Sequence, residues 1–172
     1  SYDLSGPWKF SIIREKNVHD KDFNDSRWGS IKVPASWESQ GYAQHDGYGW
    51  YRKRFSVPAN LQNEKLFLSL GKIDDEDRVY LNGYQLGRTE SRNSSWNNGN
   101  NWRKHRLYEI PQKYLQKENV LVVEVYDFQQ DGGIYEGPVG LVTEKDAKIL
   151  SEQIKQNREY ITVWGVLNEI FN

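Results

Sequence analysis

Apolar and polar residues alternate along most of the first 143 residues of this 172-residue chain. Trp8, Phe10 and Ile12 fall on one face of an extended segment, and the leucines of residues 66–70 do the same further on. A period of two is typical of antiparallel strands with one buried face. No segment in this part carries apolar residues at helical spacing, so the alternation predicts a fold made of β-sheets.

The residue types at the turns between the short strands limit the possible fold classes. Asn82-Gly83 follows a strand that ends in Leu81, and both residue types tolerate the positive φ of a tight type I′ hairpin. Further strands are predicted at residues 107–110, 120–128 and 138–143. Many short strands joined by such turns favour an all-β fold, a β-sandwich of jelly-roll type.

The pattern changes after Thr143. Ala147, Leu150 and Ile154 are spaced as on one face of a helix, which predicts a helix over residues 144–157. The apolar, β-branched segment Tyr160 to Leu167 is predicted to be a short terminal strand. The expected organisation is therefore a sandwich domain at residues 1–143 and a helix and strand extension at 144–172.

Composition excludes several classes of protein. A formal net charge of -1 and a pI of about 6.3 give no electrostatic attraction toward nucleic acid. No run approaches the roughly 18 apolar residues that a membrane span requires. The chain contains no cysteine, which rules out disulfides and thiolate zinc sites.

Four stretches of the sequence carry a family resemblance. They are Val-Pro-Ala-Ser-Trp-Glu-Ser-Gln-Gly-Tyr at 33–42, Gly-Tyr-Gly-Trp-Tyr-Arg-Lys-Arg-Phe-Ser-Val-Pro at 47–58, Leu-Gly-Lys-Ile-Asp-Asp-Glu-Asp-Arg-Val-Tyr-Leu-Asn-Gly at 70–83, and the closing loop at 127–139. In this order they resemble the N-terminal sugar-binding, galactose-binding-like jelly roll of the family 2 glycoside hydrolases, the β-galactosidase and β-glucuronidase group.

The resemblance implies a role for two aspartates. In β-galactosidases of this family, loops of the domain reach over the catalytic pocket and supply polar side chains. Asp46 and Asp131 are the matching positions here. Each also suits a turn, because Asp46 precedes Gly47 and Asp131 precedes Gly132.

A second, shorter resemblance lies at the C-terminus. Val-Trp-Gly-Val-Leu-Asn-Glu at 163–169 resembles the barrel strand of family 2 hydrolases that ends in the general acid/base, which would be Glu169. A retaining glycosidase needs a second carboxylate roughly 5 Å away and a walled pocket. Nothing in the chain resembles the other barrel strands, so no activity is expected from this chain alone.

The segment from Arg92 to Arg103 is rich in tryptophan, asparagine and arginine. Sugar rings stack their C–H faces on aromatic side chains, and their hydroxyls pair with amides and guanidinium groups. Trp96, Asn98, Trp102 and Arg103 are therefore predicted to contact a glycan. The alternative is a surface loop with one tryptophan in the core.

Acidic residues cluster at Asp74, Asp75, Glu76 and Asp77. Sandwiches of the galactose-binding-like type often carry a structural calcium ion, so Asp74, Asp75 and Asp77 are weak candidates for its ligands. The spacing of a calcium-binding loop is absent, and pairing of Asp75 or Asp77 with Arg78 or a loop arginine is the preferred interpretation. No other cofactor is expected.

Together these features predict a non-catalytic carbohydrate-binding domain related to family 2 glycoside hydrolases. Its partners would be an oligosaccharide or polysaccharide and a catalytic barrel on the same or another polypeptide. The alternatives are a fragment of a β-galactosidase-like hydrolase and a scaffold domain without a ligand. The resemblance implies an extracytoplasmic location, in the periplasm or at the cell surface.

Overall fold

The computed structural model describes residues 1–90 and 100–171, with side chains described as far as residue 157. Within these residues the chain forms ten strands, four short 3-10 turns and one helix. The strands are β1 (Tyr2–Asp3), β2 (Gly6–Ser11), β3 (Gly29–Val33), β4 (Gly47–Phe55), β5 (Leu66–Asp74), β6 (Glu76–Leu81), β7 (Tyr84–Thr89), β8 (His105–Ile110), β9 (Asn119–Asp127) and β10 (Gly133–Thr143). The helix is α1 (Glu144–Phe171).

The strands pair into two sheets, and each pairing is antiparallel. One sheet has four strands in the order β1-β10-β5-β8, and the other has six in the order β3-β2-β4-β9-β6-β7. The predicted all-β sandwich with a C-terminal helix is confirmed. In the six-stranded sheet β9 lies between β4 and β6. The start of β4, the end of β9 and the start of β6 lie at the same end of the sandwich.

The main core lies between the sheets, and strands such as β2 and β5 contribute alternate residues to it. Trp8 and Phe10 of β2 are 1% exposed, and Leu66, Leu68 and Leu70 of β5 are at most 1% exposed. Full burial of one such side chain contributes about 1.5–3 kcal/mol. The period-two pattern therefore identified the buried faces of β2 and β5. Ile12, predicted on the same face as Trp8 and Phe10, instead lies beyond the end of β2 and is 38% exposed.

The outer face of the six-stranded sheet is covered near β4 by the segment that joins β2 to β3. Arg52 of β4 is only 1% exposed, and its guanidinium donates to the Asp25 carboxylate at 2.9 Å and to the Val18 carbonyl at 2.6 Å. Val18, Trp28 and Trp50 form a second small apolar cluster there. Arg52 thus holds the irregular segment between β2 and β3 on the sheet by donating hydrogen bonds to backbone carbonyls of that segment.

The predicted hairpin at Asn82-Gly83 is confirmed. Leu81 ends β6, Tyr84 begins β7, and the two residues between them have φ values of 51° and 86°. Asn82 also donates from its amide to the Tyr114 carbonyl at 2.8 Å. The residue types that permit the turn therefore also tie it to a neighbouring loop.

The predicted terminal strand at Tyr160 to Leu167 is wrong, because these residues belong to α1. The helix begins where predicted, with the Asp146 amide donating to the Thr143 hydroxyl at 3.3 Å. Once nucleated, a helix extends at little cost, and a short apolar run does not by itself distinguish helix from strand. None of the described helices is long and apolar enough to cross a membrane.

Candidate functional site

Three aspartates meet at one end of the sandwich. Asp74 ends β5 and Asp75 follows it at the corner leading into β6, while Asp127 ends β9. One carboxylate oxygen from each lies within 4.8 Å of the corresponding oxygens of the other two. We call Asp74, Asp75 and Asp127 the aspartate cluster. The cluster exists because two strand ends from distant parts of the chain are neighbours in the fold.

Backbone amides of the loop after β9 hold two of these carboxylates. Asp75 Oδ2 accepts the Phe128 N–H at 3.0 Å, and Asp127 Oδ1 accepts the Gln129 N–H at 3.1 Å. The second oxygen of Asp127 is buried and has no hydrogen-bond partner among the described residues. Buried polar atoms are nearly always satisfied, so this oxygen is the exception to be explained.

The electrostatics of Asp74 reflect its acidic surroundings. Burial, followed by the adjacent Asp75 carboxyl group, raises the pKa of Asp74 to about 8. The charges of Asp127 and Asp131 act in the same direction. Asp131, predicted from the sequence as a ligand-binding residue, is therefore close enough to influence the aspartate cluster.

The pKa of Asp127 is also raised, and for similar reasons. Burial raises the pKa of Asp127 to about 7, against the opposing effect of the Gln129 amide. The charges of Asp75, Glu38 and Asp46 contribute to this rise in the pKa of Asp127. Asp46 is exposed and directly precedes Gly47, the residue of β4 that pairs with Asp127. Both aspartates implied by the family resemblance thus lie around the cluster.

The loops at this end are braced by a buried tryptophan. Trp37 is 0% exposed, and its indole N–H donates to the His45 carbonyl at 3.2 Å. Glu38 accepts the Gly132 N–H at 2.9 Å, which ties the loop after β3 to the closing loop. A Cβ at Gly132 would lie 2.2 Å from the Trp37 ring, so only glycine permits this approach.

Two predicted glycan contacts lie at the same end. Trp102 is 39% exposed, and the Arg103 guanidinium carbon lies 4.4 Å from the centroid of its ring. The Tyr135 hydroxyl donates to the Trp102 carbonyl. Burial raises the pKa of Tyr135 to about 12, and the nearby Asp74 charge contributes to the shift. Tyr135 therefore connects Trp102 to the aspartate cluster.

The other two predicted glycan contacts, Trp96 and Asn98, lie outside the described residues. Glu169, the acid/base candidate that the resemblance implied, lies in the part of α1 whose side chains are not described, so its expected lack of activity in this chain stays a prediction. The barrel strand that the resemblance implied for residues 163–169 is not formed, because those residues are helical.

Asp77, the third candidate calcium ligand, has a different role. Its carboxylate accepts the Arg106 Nε–H at 2.6 Å and the Tyr108 hydroxyl at 2.5 Å. Both members of the Asp77–Arg106 pair have side chains that are 0% exposed. Asp77 does pair with an arginine, but the partner is Arg106 of β8. Arg78, the partner considered from the sequence, pairs with Glu90 instead.

Arg106 also supports the backbone around the site. Its guanidinium donates to the Asp75 carbonyl at 2.8 Å, to the Lys104 carbonyl at 2.6 Å and to the Asn101 carbonyl. Neither Arg106 nor Asp127 is identifiable as a site residue from the local sequence. The available signal for Asp127 was its place at the end of a predicted strand. Its distance of about fifty positions from Asp74 and Asp75 concealed the contact.

A family model for the second all-β domain of β-galactosidase matches residues 15–131. The chain belongs to this family. The match covers the whole aspartate cluster and both Trp102 and Arg103. The predicted relationship to a β-sandwich domain of family 2 glycoside hydrolases is thereby confirmed.

Individual relatives are much longer than this second all-β domain. A β-glucuronidase of Formosa agariphila is 27% identical over 104 residues, which are 53% of this chain and 11% of the relative. A β-galactosidase of Halalkalibacterium halodurans is 26% identical over 154 residues, which are 73% of this chain and 14% of the relative. The chain therefore spans only a small part of the enzymes that it resembles.

Solved structures agree on the fold. A Bacteroides uniformis β-glucuronidase matches 78% of the chain with a TM-score of 0.65 at 24% identity, and the match covers 17% of that structure. A β-glycosidase from Bacteroides vulgatus matches 82% of the chain with a TM-score of 0.64 at 24% identity, and covers 20% of that structure. The sandwich is thus a module that recurs within larger hydrolases.

Proposed function

We propose that this domain is a non-catalytic accessory domain that binds carbohydrate at the end of the sandwich holding the aspartate cluster. The observation that carries the proposal is the exposed Trp102 ring with Arg103 against it, next to a set of carboxylates. Asp46 and Asp131 are exposed and lie around the same cluster. This sugar-binding role is the one that the sequence resemblance to the N-terminal domain implies.

The chemistry of these groups suits a sugar. The Trp102 ring offers a face for the C–H groups of a pyranose, and the Asp46 and Asp131 carboxylates accept hydrogen bonds from hydroxyls. Arg103 donates to ring or hydroxyl oxygens. The groups lie on an open surface, and hydroxyls exchange water for similar hydrogen bonds. An affinity on the order of micromolar to millimolar follows.

Catalysis by the domain alone is not part of the proposal. The aspartate cluster brings three carboxylates together, but Asp127 within it is 0% exposed. Retaining hydrolysis needs two carboxyl groups that flank the scissile bond. A buried carboxylate cannot reach the anomeric carbon, so the cluster does not supply such a pair. We expect no turnover of nitrophenyl β-galactoside or β-glucuronide by the purified chain.

The direct test is a glycan-array screen followed by calorimetry on each hit. Trp102→Ala should abolish the binding of a hit while the domain stays folded, as judged by a cooperative thermal transition. Tyr84→Ala is the matched control, because Tyr84 is an exposed ring that stacks on Tyr114 at 4.5 Å between centroids, in a different loop region. Equal binding by wild type and Trp102→Ala would refute the location of the site. An array without hits would favour a scaffold role.

A second candidate function is supported by the small share of each relative that the chain covers. In this alternative the same end of the domain completes the substrate pocket of a catalytic barrel on the same or another polypeptide. Asp131→Asn in the joined protein would then lower kcat/KM at an unchanged melting temperature. From the family resemblance we also propose that such a protein lies in the periplasm or at the cell surface, which cell fractionation with an antibody to this domain would test.

A further inference from the structure

The buried carboxylate of Asp127 lacks a partner for one of its oxygens. The residue is 0% exposed, Oδ1 accepts the Gln129 amide, and Oδ2 has no hydrogen-bond partner among the described residues. A buried carboxylate without compensation costs several kcal/mol, and removal of the charge or addition of a counter-charge relieves that cost. Some group is therefore expected to satisfy Asp127 Oδ2.

The geometry of the aspartate cluster suits a single metal ion. One oxygen each of Asp74, Asp75 and Asp127 lies within 4.8 Å of the other two. Calcium–oxygen distances of about 2.3–2.6 Å allow two ligands of one ion to lie as much as about 5 Å apart. One ion between these three oxygens would therefore reach all of them without a large movement.

No arginine or lysine in the described part of the chain forms an ion pair with the aspartate cluster. The nearby buried cation, Arg106, donates to the Asp77 carboxylate and to the Asp75 backbone carbonyl. Its charge is thus directed at Asp77, and no basic side chain of the described residues is paired with the three clustered carboxylates.

We propose that Asp74, Asp75 and Asp127 bind one Ca²⁺ ion at the corner between β5 and β6. The ligands are all carboxylate oxygens, which hard divalent cations prefer, and zinc sites would draw on nitrogen or sulfur ligands. Asp74 and Asp75 are partly exposed, so water can complete the coordination. Ca²⁺ accepts such an irregular site more readily than Mg²⁺, which requires a near-ideal octahedron.

The ion would add a direct link between the β5–β6 corner and the end of β9, which hydrogen bonds already join. Asp127 precedes the closing loop, whose Phe128 and Gln129 amides already bind the Asp75 and Asp127 carboxylates. Calcium would fix this loop relative to the β5–β6 corner. This inference does not depend on sugar binding, and its test contains no sugar.

The experiment is thermal unfolding and calorimetry of the full chain, first freed of metal with a chelator and then titrated with CaCl₂. At a Ca²⁺ concentration about 100 times the dissociation constant, the melting temperature should rise by roughly 5–10 °C. MgCl₂ at the same concentration should give a clearly smaller rise. Tb³⁺ is a second probe, because tryptophans at this end, Trp37 and Trp102, can sensitise its luminescence.

Variants locate the ion. In Asp127→Asn the response to Ca²⁺ and the Tb³⁺ signal should disappear, while the metal-free melting temperature should equal or exceed that of wild type, because a buried charge has been removed. Asp75→Asn is the second variant, since asparagine keeps an acceptor for the Phe128 amide. Glu118→Gln is the matched control, because Glu118 is exposed and precedes β9 at its opposite end.

Each result bears on the proposal. Loss of the calcium response in both cluster variants, with a normal response in Glu118→Gln, supports it. No heat and no rise in melting temperature at about 10 mM CaCl₂ would overturn it. This concentration is roughly ten times the dissociation constant of the weakest calcium-binding modules. An unchanged response in Asp127→Asn and Asp75→Asn would also overturn it, by showing that calcium binds elsewhere.

Discussion

Replacement of Asp77 by asparagine should destabilise the domain far more than loss of a surface charge. Asp77 and Arg106 form an ion pair at 2.6 Å, and both side chains are 0% exposed. Asparagine keeps the size of the side chain but leaves the guanidinium charge buried without a counter-charge. Removal of one member of such a pair costs about 3–5 kcal/mol.

The expected loss can be converted into a measurable change. For a domain of 150–250 residues, 1 kcal/mol of unfolding free energy corresponds to roughly 2–4 °C in melting temperature. Asp77→Asn should therefore lower the melting temperature by roughly 6–20 °C. Urea denaturation followed by tryptophan fluorescence should report a loss of about 3–5 kcal/mol.

The control is an exposed pair of the same chemistry. Lys65 and Glu109 lie 3.2 Å apart, but both side chains are about half exposed. Glu109→Gln should cost less than about 1 kcal/mol, because water screens the pair in the native state. If Asp77→Asn cost no more than Glu109→Gln, the buried pair would not stabilise the domain, and the reasoning would be wrong.

A double-mutant cycle adds a check on the mechanism. Arg106→Met removes the guanidinium, and with it the donors to the Asp75, Lys104 and Asn101 carbonyls. In Asp77→Asn/Arg106→Met the isolated charge is gone, so the double variant should be more stable than the sum of the single effects predicts. A coupling of about 0.5–3 kcal/mol is expected. Strict additivity would contradict a direct interaction.

Two further predictions concern the closing loop and the response to acid. Gly132→Ala should destabilise the domain by about 1–3 kcal/mol, because the new Cβ would lie 2.2 Å from the Trp37 ring. In the control Gly137→Ala the new Cβ would lie 3.5 Å from its nearest atom, so this variant should lose less stability. Urea denaturation of both variants measures the difference. Burial raises the pKa of Glu124, but hydrogen bonds from His19 and Trp50 outweigh it and hold the pKa below the ordinary value of 4.5. A lowered native pKa stabilises the fold above the unfolded-state pKa and loses that effect as the pH falls through the native pKa. Glu124→Gln should therefore flatten the loss of stability below about pH 4.5, and an unchanged slope in denaturation curves at successive pH values would contradict this.

The strands and the hairpin could be predicted because their signals are local. Alternation along β5 shows which side chains enter the core, and Asn82-Gly83 supplies the two positive φ values that its turn needs. Arg52 could not be recognised as buried, because its partners belong to a loop more than twenty positions away. The same limit applies to Asp127, whose contact with Asp74 and Asp75 depends on sheet order.

The end of the helix was mispredicted for a related reason. Tyr160 to Leu167 is β-branched and apolar enough for a strand, but a strand needs a partner with free edge hydrogen bonds. Extension of α1 satisfies the same backbone groups within one segment. The local composition favoured a strand, and the continuity of the chain with an existing helix decided the outcome.

The proposed calcium and sugar functions share one end of the sandwich but use different atoms. Calcium would take the oxygens of Asp74, Asp75 and Asp127, whereas a sugar would meet Trp102 and Arg103 on the exposed surface. Trp102→Ala should therefore leave the calcium response intact. Calcium removal should weaken sugar binding only through loss of order in the loop after β9. The two proposals can consequently fail independently, and a variant that abolished both without unfolding would show that they form a single site.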